Sequence, residues 1–178
     1  MATATAVSLP YLTVDEYLSS SHEPDADYVD GVLEERNLGE MDHADLQSEI
    51  VTIFRNHRAD WKVKAFTELR VQVAATRFRV PDVCILHASQ PRTPIVRNAP
   101  LLCIEVLSPE DRFSSSRRKY QDYLDMGVHE VWVFNPESRT VFVLRGDTMT
   151  EHRDGSLNLQ GTQIELSLPK VFGVLDLS

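Results

Sequence analysis

The sequence predicts an α/β fold in which a mixed β-sheet is flanked by α-helices. Three observations carry that expectation. An amphipathic stretch at 42–58 and a second helical stretch at 114–127 lie far apart, with strand-like runs between and after them. One of those runs, "PLLCIEVLS" (100–108), is almost continuously apolar, as a strand covered on both faces should be. Helices and strands in mixed order are the pattern of a sheet packed between helices.

The elements follow in chain order. "TVDEYLSS" (13–20) reads as a short helix, because Thr13 and Glu16 have the spacing of a capping box. "DADYVDGVLEERN" reads as a hairpin turning at Asp30-Gly31, a dipeptide that tolerates positive φ. In 42–58, Leu46, Ile50, Ile53 and Phe54 form one helical stripe, with Asp42 as the expected N-cap. "TELRVQVAA" (67–75) alternates as a half-buried strand, and "FRVPDVCIL" (78–86) is a more apolar one. A polar, proline-containing connection leads to 100–108. The 114–127 helix is expected to start on a serine cap and stop at Gly127. "HEVWVFN" (129–135) and "TVFVLRG" (140–146) are expected strands joined through "PESR", and the C-terminal "QIELSLPKVFGVLDLS" is expected to cover an edge of the core.

The 178 residues fit one domain, expected as 1–178 with a core over about 25–175 behind an N-terminal arm and short helix at 1–20. No apolar run reaches the roughly 20 residues of a membrane span, so no membrane association is expected. The N-terminus lacks a basic segment followed by a long apolar one, and cytoplasmic placement is the expectation. Cys84 and Cys103 sit in apolar runs and read as buried thiols. A net charge of -9 argues against holding nucleic acid by bulk electrostatics. Such a role needs a local basic patch or bound cations.

Two acids do not fit a core. Alternation along 100–108 sets Leu101, Cys103, Glu105 and Leu107 on one face and Leu102, Ile104 and Val106 on the other. In the preceding run Val80, Asp82 and Cys84 share a face. A buried carboxylate costs several kcal/mol unless it is paired, protonated or metal-bound, on the order of the usual desolvation penalty. An arginine salt bridge is the ordinary explanation for either acid alone. Two acids on neighbouring strands also suit a hard divalent cation, Mg²⁺ or Mn²⁺. The remaining need is a positive group near an attacking water. Lys119 is the candidate, sharing a helical face with Tyr123 four residues on.

The motifs "VPD" (80–82), "IEV" (104–106) and "SPEDR…KYQDYLDMGVHEVWVFNP" resemble the Uma family of restriction-endonuclease-like proteins, a branch of the PD-(D/E)XK nuclease superfamily. The resemblance runs from "YVDGVLEE" to "LPKVFG" and implies a restriction-endonuclease-like core with a metal-dependent phosphodiesterase centre. It puts the motif acids on Asp82 and Glu105. The superfamily's usual lysine, two residues after the second acid, is here Leu107; the resemblance implies that Lys119 supplies the amine from the next helix. The implied centre has Asp82, Glu105 and the Val106 carbonyl holding Mg²⁺ or Mn²⁺, with Lys119 catalytic and DNA as substrate. His43, near the start of the first long helix, is a possible auxiliary residue. A homodimer is a possible assembly, since double-strand cleavage is simplest with paired sites. The alternative is a catalytically inactive binding or regulatory module on the same fold, suggested by Leu107 and the acidic balance. Trp61 and Trp132 read as core or interface aromatics, and "SSSRRK" is the one basic cluster beside the expected site.

Overall fold

The computed structural model describes residues 11–21, 26–36, 39–109 and 113–176. The N-terminal arm before Tyr11 and the two ends of the hairpin sequence, Asp25 and Asn37, lie outside them. Helix α1 (Val14–Ser19) is closed by the expected capping box, with the Glu16 amide donating to Thr13 and the Glu16 carboxylate accepting from the Thr13 amide. Strands β1 (Ala26–Val29) and β2 (Val32–Glu35) pair antiparallel with Val29 opposite Val32. Asp30 and Gly31 both have positive φ (50° and 95°), as a two-residue type I′ turn requires.

Helix α2 (Met41–Asn56) buries Leu46, Ile50, Ile53 and Phe54, the expected stripe. Its N-cap is Glu40, without a side-chain cap bond, so Asp42 lies inside the first turn and is not the cap. Its negative charge still suits that end of the helix.

The largest departure from expectation lies in 63–87. The two expected strands here are four. β3 (Val63–Thr67) pairs with β6 (Val83–His87), and β4 (Val71–Ala74) pairs with β5 (Arg77–Arg79). They form one long hairpin that bends out of one sheet into another. One arm turns at Glu68, which has φ of 52°, and the other at Val80-Pro81-Asp82. The Glu68 amide donates to the Asp82 carbonyl at 3.3 Å and ties the two bends together. Proline cannot donate to a ladder, so Pro81 suits a place where pairing is interrupted. Asp82 therefore sits at a corner and not within a strand.

The near half of that hairpin joins a six-stranded sheet in the order β10-β9-β8-β7-β6-β3. Its further members are β7 (Leu102–Val106), β8 (Glu130–Asn135), β9 (Thr140–Arg145) and β10 (Thr148–His152). Only β7 and β8 run parallel, and helix α3 (Phe113–Met126) is the crossover that parallel neighbours need. The far half joins β1 and β2 in a four-stranded antiparallel sheet, β2-β1-β5-β4. A small pair, β11 (Ser156–Asn158) with β12 (Glu165–Ser167), leads into α4 (Leu168–Phe172).

The six-stranded sheet is covered on both faces. Ile104, Val106, Trp132 and Phe134 pack against α2, α4 and the β11–β12 pair, so the C-terminal stretch does cap a core layer. Cys103, Leu107, Val131 and Val133 pack under Tyr120 and Tyr123 of α3. Leu101 precedes β7 and packs with the α2 layer, contrary to the alternation expected for it. α3 begins at Phe113, so Ser114–Ser116 fall in its first turn and the expected serine cap is not one; residues 110–112 before the helix lie outside the described residues. The helix stops at Gly127 (φ 103°), whose amide donates to Leu124 while that of Val128 donates to Tyr123. These two bonds form a Schellman motif.

Candidate active site

The bend at 80–82 positions the first acid. Its carbonyl is held by the Glu68 amide and by Gln47 Nε2 of α2 at 2.9 Å, which fixes the corner against the sheet. The register Val83 opposite Ile104 sets Asp82 across from Glu105. The Asp82 carboxylate is buried, and Oδ2 accepts from the Val106 amide at 2.8 Å and lies 3.3 Å from His43 Nε2. Oδ1 accepts from the Arg36 guanidinium at 2.5 Å. Burial alone would push this acid up. The hydrogen bond from His43 and the charges of Lys119 and Arg36 outweigh it, holding the pKa at about 2. His43 responds in kind: burial pushes its imidazole down, but the bond and charge of Asp82 leave its pKa raised.

Glu105 points to the opposite layer from Ile104 and Val106, under α3. Tyr123 donates its hydroxyl to Oε1 at 2.8 Å, and Lys119 Nζ donates to Oε2 at 2.9 Å. The one-turn spacing of Lys119 and Tyr123 is what lets one helix grip both oxygens. Burial raises the Glu105 pKa to about 7, against the opposing charge of Lys119 and with the repulsion of Asp82. Lys119 also donates to the Val80 carbonyl at 3.3 Å and lies 3.8 Å from Asp27 Oδ2. Burial would lower its pKa, yet Asp27, Glu105 and Asp82 together raise it, so the amine stays charged.

Asp82, Glu105, Lys119 and His43 thus meet at one site, beside the Val106 backbone. They line a cavity of about 200 Å³ together with Arg36 and Arg118. Leu107 also reaches its wall but packs mainly into the α3 layer, so the position two residues after Glu105 offers no amine. Trp132 is fully buried, and the partly buried Trp61 packs edge-on against Phe54 and stacks on His57.

Sequence reasoning missed three participants. Asp27 of β1 is buried, accepting from the Val80 amide at 2.8 Å and from Arg79 at 3.1 Å. Arg79, 1% exposed, also binds Glu34 and Asp122, tying the β1–β2 hairpin to α3 behind Lys119. Arg36 is the third. Asp27 carried the same signal as the other two acids, a carboxylate among strand residues, but it was absorbed into the alternation of a hairpin. Nothing local marks Arg36 or Arg79, whose partners lie 32 or more residues away.

The donor set fits a hard divalent ion by type, since it offers two carboxylates with a backbone carbonyl nearby. No group of three His, Cys, Asp or Glu side chains converges for a metal among the described residues, so water would complete the shell. Both carboxylates already engage protein donors through both oxygens.

Comparison with known proteins follows the same outline. A crystal structure titled as a putative nuclease belonging to DUF820, from Anabaena variabilis, superposes with a TM-score of 0.81 at 26% identity. The match covers 92% of this chain and 99% of that one. A DrdV–DNA complex gives a TM-score of only 0.39 at 12% identity, over 72% of this chain and 11% of its own, which carries no argument. No curated protein matches. Residues 14–177 match the family described as "Uma2: Putative restriction endonuclease". That span takes in every described strand and helix and the whole cavity wall, and the chain belongs to the Uma2 family.

Proposed function

We propose that this protein is a metal-dependent endonuclease that hydrolyses phosphodiester bonds in DNA. The observation that carries the reading is the convergence of Asp82, Glu105 and Lys119 from a hairpin corner, a central strand and the following helix. Asp82, Glu105 and the Val106 carbonyl would hold Mg²⁺ or Mn²⁺. Bound there, the ion would acidify a water and offset phosphate charge. The chain's own residues do the rest. Tyr123 and Lys119 orient the Glu105 carboxylate, and His43 with the Val106 amide orients Asp82. Lys119, kept cationic by Asp27 and Glu105, supports the negative charge that develops on the phosphoryl oxygens. Arg118 on the cavity rim, its side chain 57% exposed, is placed to meet a backbone phosphate. A symmetric pair of copies in the cytoplasm would provide one such centre for each DNA strand.

The test is cleavage of duplex DNA by purified protein with Mg²⁺, beside Asp82→Ala, Glu105→Ala and Lys119→Met. Each substitution is expected to lower the rate at least about 100-fold, as loss of a transition-state stabiliser does. Full-rate cleavage by the triple variant would refute the assignment. One observation favours the second reading, an inactive binding module: Arg36 already neutralises Asp82. Calorimetric titration with Mn²⁺ separates the two, because the inactive module predicts no binding at millimolar metal.

A further inference from the structure

The cations around the two acids are held very differently. Lys119 has three acceptors within 4 Å: Glu105, the Val80 carbonyl and Asp27. Arg79 is locked by Asp27, Glu34 and Asp122. Arg36 has one buried partner, Asp82, and a second bond at 3.4 Å to Glu68, whose side chain is 55% exposed. It also comes from the periphery, following β2, an outer strand whose residues are all exposed. Of Lys119, Arg79 and Arg36, the last has the fewest buried partners and can leave with least disruption. It also occupies Asp82 Oδ1, where a divalent ion bound to that acid would repel it.

We propose that Arg36 is the resident counter-ion of Asp82, that a divalent cation displaces it, and that the released guanidinium then binds a phosphate of the nucleic-acid backbone. The inference rests on the nuclease reading and adds an order of events to it. Without metal, Arg36 quenches the buried carboxylate. With metal, Asp82 is satisfied by the ion, and Arg36 becomes a cation without its partner at the mouth of the same cavity. A guanidinium's planar fork matches two phosphate oxygens, so it serves this second role where a lysine would serve it less well. Metal and phosphate binding are then positively coupled, and the coupling is reciprocal. Glu68, at the hairpin bend, offers the departing side chain its first alternative partner.

The test uses the full chain and Arg36→Gln. Calorimetry with Mn²⁺ alone is expected to show about tenfold tighter binding by R36Q, because nothing need be displaced. Fluorescence anisotropy of a short labelled duplex, with Ca²⁺ as the ion, is expected to show at least a fivefold gain in affinity on adding metal for the wild type and a clearly smaller gain for R36Q, where only the ion's own charge acts on the phosphate; equal gains overturn the proposal. If the wild type binds Mn²⁺ and R36Q binds it no more tightly, the inference fails and the nuclease reading stands. If neither binds Mn²⁺, both fail. A measurement on the wild type guards against a misfolded variant. Hydrogen exchange at the Arg36 Nη2–H that bonds Asp82, followed by nitrogen-15 NMR, is expected to speed at least tenfold when Mg²⁺ saturates the site; an unchanged rate overturns the proposal.

Discussion

Asp82 and Glu105 lie side by side, yet their environments push them apart. Asp82 takes its donors from cations and an amide, and its pKa falls from 3.8 to about 2. Its contribution to stability is present above about pH 4 and is lost as pH falls through 2, amounting to roughly 2 kcal/mol. Denaturant titration should therefore show the stability gap between wild type and Asp82→Asn shrinking by about 2 kcal/mol from pH 5 to pH 2. Glu105 behaves oppositely, its pKa rising from 4.5 to about 7 because burial outweighs Lys119. It favours the fold fully below pH 4.5, and that contribution disappears as pH rises through 7. In metal-free protein a protonated carboxyl stretch in the infrared should titrate near pH 7 and vanish in Glu105→Gln. At this scale the sequence disclosed a good deal. An acid inside an apolar run is a local anomaly, and so Asp82 and Glu105 could be seen. Arg36 could not be, because a basic residue at a strand end looks the same whether it meets water or a buried carboxylate.

Among the elements, α3 and the bent hairpin do the positioning. α3 carries Lys119 and Tyr123 and is anchored at its end by the left-handed Gly127. An alanine there meets only ordinary contact with Ala99 at 3.7 Å, so its penalty comes from the backbone. Gly127→Ala should cost about 1–2 kcal/mol in thermal or chemical unfolding. Arg79 joins the hairpin β1–β2 to α3 through Asp27, Glu34 and Asp122. Arg79→Ala leaves buried carboxylates uncompensated and should cost roughly 3–5 kcal/mol, read by denaturant titration. The helices were legible because their period and their stops are local signals. The hairpin was misread because alternation of period two continues across Glu68 and the Pro81 bend without showing that the chain changes sheets. Of Val63–Thr67 only Thr67 lay in an expected strand: "VKAFT" is short, and its partner, β6, lies beyond the second bend in sequence.

For the molecule as a whole, the expected α/β architecture holds, with a mixed sheet between helices and α3 as the crossover beside the site. The four-stranded sheet was not anticipated, because its order β2-β1-β5-β4 joins segments remote in sequence. Its effect is to bring Arg36 and Asp27 to a corner that the six-stranded sheet alone would leave open. Among the described residues no helix is long and apolar enough to cross a membrane. The cavity sets Arg36, Arg79, Arg118 and Lys119 beside Asp27, Glu34, Glu35, Asp82 and Glu105, so its acidic side chains outnumber its lysine and arginines, and attraction for a polyanion there would rest on a bound cation. The most direct test is a crystal soaked in Mn²⁺ and measured for anomalous scattering. One peak beside the carboxylates of Asp82 and Glu105, with Arg36 withdrawn, is the expected result; an empty site at millimolar Mn²⁺, with the Arg36–Asp82 pair intact, would contradict it.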